Sequence, residues 1–120
     1  QPMEVQEAIM GFSQSEKVKS GIIWISQALE LMGSLTGAEK EGANRLIRLK
    51  MDALTQEIRL AGNMVADPYW EDIEKDMDKA LVMMNSGVAA DSVSLLTQAL
   101  SKVTSIGQRS MTLLKEKQLL

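Results

Sequence analysis

Four carboxylates, Asp67, Glu71, Glu74 and Asp78, recur at spacings of four, three and four, which would line them along one edge of a helix. A row of that kind can attract a cation. Calcium, however, takes roughly six to eight oxygens that converge on it from a loop, and a straight helix edge does not converge them. The row therefore reads as a solvated acidic face, with attraction of a basic partner as the functional rival. On a neighbouring segment Arg45 and Arg48 stand one helical turn apart, a spacing at which two guanidinium groups can hold one carboxylate or phosphate. They sit among Glu39, Glu41, Lys50, Asp52, Glu57 and Arg59, a mixture of signs that also suits an exposed face laced with ion pairs. Ser101 and Lys102 are adjacent, but neighbours on a helix point about 100° apart and do not form a nucleophile and its base.

What is missing narrows the chemistry further. The chain has no histidine and no cysteine, so the commonest general base, the commonest metal and haem ligand and the thiolate nucleophile are all lacking. A di-iron bundle needs Glu-x-x-His on facing helices and is excluded on the same ground. Net charge is −3 with no basic cluster, which argues against nucleic acid as a partner. The expectation is a protein that is not an enzyme and carries no cofactor.

The elements that would position these residues are helices throughout. Val18, Ile22, Ile25, Leu29 and Met32 follow one another at spacings of four, three, four and three, the mark of a buried helix face. Upstream, Val5, Ile9 and Phe12 lie off that stripe, and Ser13 with Glu16 resembles a capping box. The spacing predicts a short helix over about 3–12, a break or kink, and a long helix over 15–33; one continuous helix with a register shift is the alternative. Thr36 and Glu39 form a second capping-box pattern, opening a helix over 37–66 with Ile47, Met51, Leu54, Ile58, Ala61 and Val65 inward. Asp67 and Pro68 are a good cap and first-turn pair for a helix over 68–86, with Trp70, Ile73, Met77, Ala80, Leu81 and Met84 inward and Gly87 as its C-terminal cap. A last helix over 89–117 turns Val93, Leu96, Ala99, Leu100, Val103, Ile106, Leu113 and Leu114 to the core. Nothing in the sequence signals a strand.

Four helices joined by short loops predict an all-α, antiparallel up-down-up-down four-helix bundle, as one domain spanning 1–120, with a short or kinked extra N-terminal segment. The third helix is much shorter than the second and fourth, so one end of the bundle lacks a wall. The N-terminal segment or a second subunit is expected to cover it. The segment 72–103, with its Asp-x-Ala-Leu helix end and Asn-x-Gly turn, resembles the second hairpin of the soluble four-helix b-type cytochromes. In that family a methionine near the start of the first helix and a histidine late in the last one bind haem. Met3 or Met10 stands at the first place, but Gly107, Gln108, Arg109 and Ser110 occupy the second, so the resemblance implies the bundle and not the haem.

The stretch "GIIWISQALELMG", 21–33, is where a functional surface is expected. Gln27 and Glu30 interrupt it too soon for a membrane span, so no membrane insertion of this segment is predicted. As a helix it carries more apolar residues than one core needs. Ile23, Trp24 and Leu31 flank the inward stripe, and with Phe12 they form the candidate interface. Tryptophan is enriched at the centres of protein interfaces. The function expected on this basis is a non-catalytic interaction module that associates with a copy of itself, or with another protein, through the first helix. The alternative is a sensor or carrier that holds an apolar ligand within the bundle, consistent with nine methionines that make an adaptable interior.

Overall fold

The computed structural model describes residues 4–120. Within them the chain forms α1 (Val5–Met32), α2 (Gly37–Met64), α3 (Tyr69–Asn85), one 3-10 turn (Ala89–Asp91) and α4 (Ser92–Glu116). Each helix packs on the next, and α4 returns to α1, which closes an up-down-up-down ring with dimensions of 53 × 22 × 19 Å. The four stripes meet on its axis. The inward residues predicted for α1 and α2 are all buried, including Met32 and Met51, as are Met77 and Met84 of α3. On α4 the inward set is shifted: Leu95, Ser92 and Ser110 are buried, whereas Val93 is exposed and Leu100 and Leu113 are half-buried.

Helix α1 is continuous, and the expected break at 13–14 does not occur. Ser13 and Glu16 are exposed mid-helix residues, and the small residues beside them, Gly11 and Ser15, are buried. Gly11 lies against α4 so closely that a Cβ there would sit 2.6 Å from Ser110 Oγ. One turn on, a Cβ on Gly107 would sit 2.7 Å from Ser15 Oγ. Small residues on both helices let the two backbones approach, and Ser15 sends its hydroxyl back to Phe12 O at 2.9 Å instead of across the seam. The inward residues of this segment are therefore Ala8, Gly11, Gln14 and Ser15, while Ile9 is exposed and Val5 and Phe12 are half-buried. The N-terminal segment continues along α4 and does not fold over the open end of the bundle. Met3 lies outside the described residues; Met10 is a half-buried residue packed on the core.

The helix ends follow local rules closely. Gly87 adopts φ +80°, the left-handed region open to glycine at little cost. Val88 N–H then donates to Met83 O at 3.0 Å and Gly87 N–H to Met84 O at 3.2 Å, the pair of bonds that closes a helix at such a residue. Asp67 Oδ1 accepts the Tyr69 N–H at 3.0 Å and so caps α3 as predicted. Thr36 stands at the start of α2 with extended backbone, but its side chain makes no capping bond there.

Candidate functional site

Cross-helix pairs fix how α1 lies against α2. Lys17 Nζ reaches Glu57 at 3.4 Å, Gly21 faces the tip of Leu54, and Lys50 Nζ lies 5.9 Å from the centre of the Trp24 ring. Each step up α1 is matched by the same step back along α2, the register of an antiparallel pair. This places Trp24 beside the turn of α2 that carries Leu46, Leu49 and Lys50. The outer faces of the two helices form one surface there.

That surface exposes several large apolar side chains. Trp24 is 43% exposed and Leu31 64%, and both lie on one outward line of α1 with Ser20 and Gln27. On α2 a second outward line runs through Leu46, Leu49, Ala53, Gln56 and Leu60, all exposed. Its spacing of three, four, three and four is that of a coiled-coil seam. Of the four expected interface residues, Trp24 and Leu31 share this face, while Ile23 is exposed and turned toward the α4 side. Phe12 is half-buried, three turns back along α1 from Trp24, and does not join them. Leu46, Leu49 and Leu60 were not anticipated. The signal was present in the sequence as a second period on α2, masked by the more regular inward stripe.

The lysine above Trp24 matters for what the face can bind. Its ammonium lies within the distance at which a cation is attracted to a ring face, worth about 0.5–1 kcal/mol at an exposed site. With Lys50 over the ring, the indole still keeps nearly half of its surface exposed.

The acidic row and the arginines have separate fates. Asp67 accepts from Arg109 Nη2 at 2.5 Å and Glu74 from Arg59, so two of the four carboxylates tie α3 to its neighbours. Glu71 pairs with Lys75 at 3.7 Å on the surface of α3 itself. The hydrogen bond and charge of Glu74, with a smaller contribution from Asp78, hold the Arg59 guanidinium above its ordinary pKa. Among the described residues no group of three acidic side chains is placed to hold a metal ion. Arg45 and Arg48 do line one shallow groove between α2 and α3, together with Leu49, Asp52, Leu81 and Asn85. Lys102, next to Ser101 in sequence, is engaged by the buried Asp76 at 2.6 Å.

A larger groove of about 990 Å³ opens at the end where α3 is too short to reach, as its length suggested. Leu29 and Met32 of α1 form part of its wall, the Gly87–Asp91 segment closes the other side, and Glu30, Lys40 and Glu41 stand at its rim. The room for an apolar ligand is thus at the end of the bundle, next to a core whose stripes are closely filled. No described helix is long and apolar enough to cross a membrane.

Comparison with known protein families, with characterised proteins and with solved structures finds no match to this chain.

Proposed function

We propose that this protein is a non-catalytic interaction module that pairs with a second copy of itself through the outer face of α1 and α2. The observation that carries the reading is the pair of outward apolar lines, Trp24 and Leu31 on α1 and Leu46, Leu49 and Leu60 on α2, side by side on one surface. A twofold axis through that face would set each line against its copy and bury both in one step. Two adjacent helices of 28 residues give a face about 42 Å long at 1.5 Å per residue. That is ample for the roughly 800 Å² per partner that a stable interface needs. Trp24 would be the anchor, because a half-exposed indole gains the most from losing its remaining water.

Sedimentation equilibrium tests this directly. The native chain is expected to dimerise, and Trp24→Ala to raise the dissociation constant about 30-fold, the equivalent of about 2 kcal/mol. Leu49→Ser should act in the same direction, while Thr104→Ala on the exposed surface of α4 should leave the constant unchanged. A chain that stays monomeric at millimolar concentration, or a dimer indifferent to both substitutions, would overturn the proposal.

A second reading draws on the end groove, whose volume and apolar wall suit a small apolar ligand. Native mass spectrometry of freshly purified protein separates the two readings. An adduct lost on Met32→Lys supports a carrier, and a bare mass counts against it.

A further inference from the structure

Arg59 and Arg48 occupy equivalent places on the edge of α2 that faces α3, three turns apart. Arg59 meets Glu74, and three turns further along α3 the position opposite Arg48 is Asn85. The same cross-helix geometry thus ends once in a carboxylate and once in an amide. Arg48 Nη1 donates to Asn85 Oδ1 at 3.0 Å, which fixes the guanidinium without neutralising it. Its Nε is buried and has no acceptor. Glu41 and Asp52 stand at helical spacing from Arg45 and Arg48, yet among the described residues neither arginine forms an ion pair. The groove therefore carries two guanidinium groups whose charge no carboxylate neutralises, and an anion that approaches it from solvent meets both.

We propose that Arg45, Arg48 and Asn85 form a subsite for the carboxylate of a small monoanionic ligand whose apolar stem lies over Leu49 and Leu81. The fork of Arg48 matches a carboxylate in shape, and Arg45 one turn away adds a second cation. With its Oδ1 taken by Arg48, the Asn85 amide presents N–H donors to the same groove. Asp52 sets the ligand's charge. Two arginines and one aspartate leave the lining at +1, which one negative charge balances, whereas a phosphate dianion would meet Asp52. The groove, about 350 Å³, accommodates a ligand of a few heavy atoms. This subsite lies toward α3 and shares Leu49 with the face proposed for pairing, but its polar groups, Arg45, Arg48 and Asn85, are not among the residues of that face.

Side-chain 1H–15N spectra of the arginine Nε–H and asparagine amide groups, titrated with sodium butyrate against sodium chloride of equal ionic strength, test the subsite. Saturable shifts of Arg48 Nε–H and Asn85 Nδ2 are expected, with a dissociation constant in the millimolar range. Arg48→Lys keeps the charge but removes the fork, and should weaken the Asn85 response at least tenfold. Arg45→Gln, at an exposed position that leaves the helix contacts intact, should weaken both responses several-fold. Asp52→Asn should tighten butyrate and admit inorganic phosphate. Shifts that rise linearly without saturating, that persist unchanged in Arg48→Lys, or that phosphate produces as strongly as butyrate in the native chain would overturn the assignment.

Discussion

The two hairpins of the bundle solve the same packing problem with opposite surfaces. Between α3 and α4 the contact includes a part-buried ion pair, Asp76 with Lys102, and on its α2 side α3 sets the largest core side chain, Trp70, close against Gly62. The outer side of α4 is a row of serine, threonine and glutamine. There Thr97, Thr104, Ser105 and Thr112 turn their hydroxyls back to backbone carbonyls one turn earlier, at 2.8–3.2 Å. A face that satisfies its own polar groups offers a partner little. Between α1 and α2 the contact is looser in charge, with the exposed Lys17–Glu57 pair, and the surplus of apolar residues lies outside. The contrast puts Trp24, Leu31, Leu46, Leu49 and Leu60 on the α1–α2 side of the ring, where they are exposed. It also separates the two tryptophans, one a core residue and the other a surface residue.

The comparison can be broken most severely at Trp70. Trp70→Ala should destabilise the fold by about 3–5 kcal/mol in urea unfolding, since a filled site loses its largest side chain. Asp76→Ala should cost less, about 2 kcal/mol by the same measurement. It strands Lys102, but that side chain is 27% exposed and regains water. On the α1–α2 side, Gly21→Ala should cost about 1–2 kcal/mol, because the added Cβ would sit 2.7 Å from a methyl of the buried Leu54. Trp24→Ala should lower the stability of the monomer by less than about 1 kcal/mol while weakening self-association. If it instead unfolds the chain as Trp70→Ala does, the division between core and surface tryptophan fails. Thr104→Ala should fall within about 0.5 kcal/mol of the native chain, and a larger loss would show that the α4 hydroxyl row carries stability.

Much of the fold was legible before any coordinates. The unbroken inward spacing of α2 and the Gly87 and Asp67 signals at the ends of α3 depend on neighbours within about one or two turns, and all three appear where expected. The break expected near Ser13 failed for a physical reason. Ser13 itself is exposed, but Gly11 and Ser15 on either side of it lie under α4, where only small side chains fit, and that packing carries the helix through. The candidate site was half legible. Trp24 and Leu31 stood out as surplus on α1, whereas Leu46 and Leu49 gained meaning only when the register of α2 against α1 placed them beside Trp24.

By itself the sequence determined the elements and their inward stripes, because helical periodicity and end signals act over a few residues. The tertiary structure decided which surplus residues share a face, which arginine meets a carboxylate and which an amide, and where the short third helix leaves a groove. Those outcomes depend on the register between helices. Register is set by side-chain contacts between residues far apart in the chain, such as Arg48 with Asn85 and Gly11 with Ser110, and no local pattern records it.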